Sequence, residues 1–162
     1  MYKVIFRNSI VQWKIQLNKI GINLFNKKVM NEFIILKSSW GIGIFYEIIE
    51  IINHNQNDEN VYEIAPSVFI KLKSDLLDTI SLEYLKKGIQ SIIQFIKEFP
   101  VCFCIEKLEY NICDYQPEGM YYMFRKWFFE SHNMEIPPMN IYYDKETNKY
   151  VFPDLIDIGE LS

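Results

Sequence analysis

Hydrophobic and polar residues alternate along much of the first half of the chain. Val11, Trp13, Ile15 and Leu17 interleave with Gln12, Lys14, Gln16 and Asn18, the period of a half-buried strand. Trp13, Leu17, Ile20 and Leu24 also fall at helical spacing, but Gly21 and the β-branched content favour a strand. A second short strand is expected from Glu32 to Lys37. The longest alternation runs from Trp40 to Ile52, with Trp40, Ile42, Ile44, Tyr46, Ile48 and Ile52 on one face and Gly41, Gly43, Phe45 and Glu47 on the other. This predicts a central strand. The two glycines predict that a helix, another backbone or a partner packs closely at its start. Asn53 to Asn60 is the most polar stretch and reads as an exposed hairpin loop, because Val61 to Ile64 and then Val68, Ile70 and Leu72 resume the β pattern around Pro66.

The period then changes. Leu82, Leu85, Ile89, Ile92, Ile93 and Ile96 recur at helical spacing behind Ser81 as N-cap, with Glu83 in the first turn and Pro100 ending the helix. Val101, Phe103 and Ile105 form one strand face, but after Lys107 the apolar residues move to Leu108, Tyr110 and Ile112. A regular strand cannot change parity, so a β-bulge or bend is predicted near Glu106 and Lys107. A second helix opens at Pro117, beside Glu118, with Met120, Met123, Phe124, Trp127 and Phe128 as its buried stripe. Ile141 to Tyr143 and Tyr150 to Phe152 then flank the loop Asp144 to Asn148 as a hairpin, and the stretch from Asp154 to Ser162 is acidic and peripheral.

This order predicts an α+β fold: a mostly antiparallel sheet with two helices packed on one face in a split β-α-β arrangement, plus an N-terminal β segment and a C-terminal hairpin. Residues 1–162 are expected to form a single domain. Within it, 1–38 is an N-terminal β extension, 40–131 a β-β-α-β-α core and 139–152 the hairpin.

From Gly41 to Phe129 the order of elements carries Glu83-Tyr84-Leu85 and Lys87-Gly88-Ile89 on a helix, followed by Pro100-Val101 leading a strand. In these features the segment resembles the fourth domain of translation elongation factor G, which implies a strand, partner strand, helix, strand, helix architecture. The chain departs from that family where the family acts. Its segment Asn111 to Pro117 is acidic and lacks the histidine of the family's loop tip, no GTP-binding domain is expected ahead of it, and Gly41-Ile42-Gly43 is no phosphate loop. The resemblance therefore implies architecture and not translocation activity.

Composition changes the picture only in part. Ile occurs 26 times, Asn 13 times and Ala once, a bias of AT-rich codons, so composition speaks partly about nucleotides. The net charge of −4 and the absence of a clustered basic footprint argue against nucleic acid as a partner. No signal-peptide h-region and no apolar run of about 18 residues is present, so a cytoplasmic location and no membrane contact are expected. Cys102, Cys104 and Cys113 are expected as reduced thiols.

Candidate chemistry is thin. Cys102 and Cys104 sit i, i+2 on a strand without a nearby histidine, a spacing that suits core packing better than zinc. His54 lies in the polar loop and His132 at a helix C-terminus, where capping is its expected role. Neither supplies the base that nucleophilic catalysis requires, and pairs such as Glu47 with Glu50 or Glu106 with Glu109 read as a solvated face. No catalytic residue, metal or cofactor is implied, and the chain is not expected to be an enzyme. The adjacent pairs Tyr121-Tyr122 and Tyr142-Tyr143 predict one outward or interfacial ring each.

At the level of class the chain is similar to bacterial toxin-immunity proteins in being acidic, Tyr-rich and α+β. That similarity implies a protein-binding module that neutralises a cognate toxin by occlusion, its acidic surface drawn to a basic toxin domain. The candidate contact residues are Asp114, Tyr115, Glu118 and Tyr122 at the start of the second helix, and Asp58 and Glu59 in the polar loop. The alternative is a translation-associated or RNA-interacting protein with the elongation-factor-like fold, which would need a basic stripe.

Overall fold

The computed structural model describes residues 30–52, 60–73 and 77–155. The strand expected at residues 10–17, the polar loop 53–59 with His54, and residues 156–162 lie outside them.

The chain builds β1 (Asn31–Leu36), β2 (Gly41–Ile52), β3 (Val61–Ala65), β4 (Val68–Leu72), α1 (Thr79–Gln90), β5 (Val101–Tyr110), α2 (Gly119–Ser131), β6 (Tyr142–Asp144) and β7 (Lys149–Val151). Five strands form one sheet in the order β1-β2-β5-β4-β3, and β6 and β7 form a separate hairpin. The fold is α+β. Only β4 and β5 run parallel, joined through α1; the other pairs are antiparallel. The expected split β-α-β unit is closed, because β4 and β5 are hydrogen-bonded neighbours with no strand between them.

The expected hairpin from β2 to β3 does not form either. β2 takes β1 and β5 as neighbours, while β3 lies at the far edge beside β4. Alternation specifies that a segment is extended and which side is buried, but it carries no address for the neighbouring strand.

Parity within β2 is as expected: Ile42, Ile44, Tyr46 and Ile48 are buried, and Phe45, Ile49 and Ile51 point to the other side. Gly41 marks a close backbone approach, since a Cβ there would stand 2.5 Å from the Ile35 carbonyl oxygen. Around Gly43 no described atom lies within 4 Å of that position, so the second glycine has no such neighbour among the described residues. In β5 the pairing passes from Glu47 opposite Lys107 to Ile48 opposite Ile105, which leaves Glu106 as the extra residue of a bulge. The bulge lets Val101, Phe103, Ile105 and Leu108 all face the same core.

Asp78, not Ser81, caps α1: its carboxylate accepts from the Ser81 amide at 2.9 Å. The helix also stops earlier than Pro100 suggests. The Ser91 hydroxyl donates to the Gly88 carbonyl at 2.7 Å, and a 3-10 turn follows at Ile93–Phe95. Gly88 lies where the helices cross; a Cβ on it would meet the Tyr121 carbonyl oxygen at 2.9 Å.

Helix α2 is buried nearly all round, from Met120 through Phe124 and again at Trp127 to Phe129. One side packs on the sheet, with Phe124 and Trp127 edge-on to Phe103. The segment from Met134 to Leu155 closes over another side, where Phe152 stacks on Tyr122 at 5.6 Å. That cover overturns the expectation of one outward ring in the first tyrosine pair, since Tyr121 is 8% and Tyr122 2% exposed. In the second pair Tyr142 is exposed.

Candidate functional site

The entrance to α2 is organised by the start of α1. Ser81 donates its single hydroxyl hydrogen to Asp78 at 2.6 Å, so the Tyr115 hydroxyl 2.5 Å away donates to Ser81 Oγ. The Ser81 hydroxyl and amide, both donating to Asp78, hold its carboxyl below its ordinary range. Burial pushes the Tyr115 phenol up, reinforced by the charges of Asp78 and Glu118. The Tyr115 ring stacks on Tyr110 at 3.9 Å and 18°. Ahead of it, Asn111 caps the 3-10 turn Ile112–Asp114 by accepting from the Cys113 amide at 3.1 Å.

The next residues fasten the C-terminal hairpin. The Gln116 amide donates to the Tyr150 carbonyl at 3.0 Å and accepts from the Tyr150 amide at 2.6 Å, so one side chain pairs with β7 as a strand would. The Tyr150 hydroxyl reaches on to the β1–β2 corner, donating to the Trp40 carbonyl at 2.7 Å and accepting from the Lys37 amide at 2.9 Å.

Between α1, the start of α2 and the hairpin lies a cleft of about 450 Å³, lined among others by Tyr84, Glu118, Asp144, Lys149, Tyr150 and Phe152. Glu118 occupies the N-cap position of α2 in helical conformation and caps nothing with its side chain. Its Oε2 is shielded from solvent and has no hydrogen-bond partner. Burial first, and then the Glu118 charge, push the Tyr84 phenol up. Across the cleft Asp144 accepts from the Thr147 hydroxyl at 2.7 Å and the Glu146 amide at 2.9 Å, which hold its carboxyl below the ordinary range. With Lys149 as the one cation among these lining residues, the cleft is net anionic and aromatic-walled.

Of the residues singled out from sequence, Asp114, Tyr115 and Glu118 fall together in the half-buried loop that enters α2, but only Glu118 lines the cleft. Tyr122 is buried in the core, its hydroxyl donating to Asp154 at 3.3 Å, and it borders a separate pocket with Tyr121 and Arg125 rather than this cleft. Asp58 and Glu59 lie outside the described residues. Sequence reasoning missed Tyr84, Asp144, Lys149, Tyr150 and Phe152. Tyr84 lies between the buried positions Ser81 and Gly88 at the margin of the α1 core face, and the others belong to a hairpin whose docking point no periodicity reveals; the one available signal was the glutamine beside Pro117, placed to pair with backbone.

The remaining polar chemistry is structural. Cys102 and Cys104 are buried with Phe69 in a small second cluster, their sulfurs 3.9 Å apart. His132 caps α2: Nδ1 lies 2.9 Å from the Phe128 carbonyl, and Nε2 stands 3.1 Å from Glu50 on β2. Among the described residues no group of His, Cys, Asp and Glu could hold a metal, and no helix is long and apolar enough to cross a membrane. Comparison of the chain with family models, curated proteins and solved structures found no match.

Proposed function

We propose that the chain is a non-enzymatic protein-binding module, an immunity protein that neutralises a cognate bacterial toxin by occluding its basic active site. The observation that carries the reading is the anionic, aromatic-walled cleft at the entrance to α2, where the Glu118 carboxylate oxygen is shielded and unpaired. Carboxylates beside aromatic rings suit recognition of a cationic protein surface: charge steers the encounter and the rings anchor it. The RNA-interacting alternative would use free cations. Instead Lys73, Lys86, Lys107 and Lys126 pair with Glu106, Glu83, Glu109 and Glu130 at 2.6 to 3.1 Å, which weighs against it.

The test is co-expression with the product of the adjacent gene. The expected result is co-purification of the two proteins and rescue of cells from that product's toxicity. A neighbour that neither binds nor harms the cell overturns the reading.

A further inference from the structure

We propose that the cleft between α1, the start of α2 and the β6–β7 hairpin captures the guanidinium of an arginine presented by a protein partner. This rests on the protein-binding reading and adds the chemistry of the contact.

The argument starts from Glu118 Oε2. A shielded carboxylate oxygen without a donor is unfavourable, and nothing on α2 offsets it, because Glu118 makes no capping bond. The missing donor must come from outside the described contacts. Asp144 cannot play the same part as readily, since both of its oxygens already accept from its own loop. Glu118 is thus the acceptor with capacity to spare, and Asp144 adds negative charge opposite it.

The walls select among cations. Tyr84, Tyr150 and Phe152 border the cleft; the last two line it from within the core, and Tyr84, half-buried, already carries the Lys87 ammonium 5.3 Å from its ring centre, a native example of a cation on this wall. A guanidinium is planar, weakly hydrated and able to stack on a ring while it donates two parallel bonds to one carboxylate. A lysine ammonium is compact and strongly hydrated, so it gains less from such walls. The cleft's own cation, Lys149, does not satisfy Glu118 Oε2. Charge complementarity therefore points to a cationic side chain from another protein.

The experiment uses the isotope-labelled full chain with N-acetyl-arginine amide as probe, and its neutral isostere N-acetyl-citrulline amide as control. Saturable shifts at the amides of Tyr84, Glu118 and Tyr150 are expected, with binding about tenfold weaker for the citrulline compound and for Glu118→Gln. Tyr84→Leu, which removes a wall and leaves the carboxylate, should weaken arginine binding as well. No saturable shift, or equal binding of both probes, overturns the proposal. A co-purifying partner that binds Glu118→Gln as tightly as the parent also overturns it while leaving the immunity reading intact. Arginine-specific shifts without any co-purifying neighbour overturn the immunity reading and keep the cleft assignment.

Discussion

The Tyr115 hydroxyl lies 2.5 Å from Ser81 Oγ, and through it the loop that enters α2 is bound to the Asp78 cap of α1. Ser81, the middle member of the chain from Tyr115 to Asp78, is fully buried, whereas Asp78 at its outer end is exposed. Ser81→Ala removes the middle member and leaves a phenolic hydroxyl with no acceptor. A loss of about 1–3 kcal/mol in urea unfolding is expected. A loss indistinguishable from zero would show that the contact holds nothing together.

Gly88→Ala sets two effects against each other. Alanine is the better helix former by about 1 kcal/mol. Its Cβ, however, would stand 2.9 Å from the Tyr121 carbonyl, a backbone atom that cannot rotate away. Separating packed helices costs about 1–3 kcal/mol, so the variant should be net destabilised. A raised thermal midpoint would contradict the packing of α1 on α2.

Ser67 gives the opposite sign. It occupies the second turn position between β3 and β4, after Pro66, with φ of 64°. That turn favours glycine there. Ser67→Gly relieves the left-handed strain and gives back part of the gain as unfolded-chain entropy, a net increase of about 0.5 kcal/mol. A decrease in stability would mean that the serine does more than fill the turn.

Three phenols govern the alkaline limit. Burial pushes Tyr46, Tyr115 and Tyr122 well above the ordinary tyrosine value. Negative charges of Glu130 and Glu32 around Tyr46, and of Asp154 beside Tyr122, act in the same direction. A folded-state pKa above the unfolded one leaves stability intact below the unfolded value and removes it as pH rises further. Unfolding should therefore begin above about pH 10, with part of the phenolate absorbance rising only as the circular dichroism signal is lost. Complete titration of all tyrosines in a folded chain would refute the burial of these three.

The parts of the fold that were legible in advance are those decided by a local period. The parity change after Ile105 announced the bulge at Glu106, because a strand with one buried face has no other way to move its apolar residues by one. The α2 stripe was equally readable, but the burial of Tyr121 was not, since the chain that covers it arrives from Met134 onward. Serine is a good cap in isolation, yet at the start of α1 Asp78 takes the role and uses Ser81 as its partner. For the candidate cleft, Glu118 could be seen beside Pro117, whereas Tyr84 and the hairpin residues come together only through the Gln116 contact to Tyr150.

The strand order carries a consequence for how the chain assembles. β1 with β2, and β3 with β4, are ribbons between near neighbours in sequence, and a protein made from its N-terminus completes both before β5 exists. The strand that belongs between them is then the last of the five to be made. Until it inserts, β2 and β4 each expose an unpaired edge, the condition that invites wrong partners and slows folding. The parity of β5, bulge included, therefore has to suit two already formed ribbons at once.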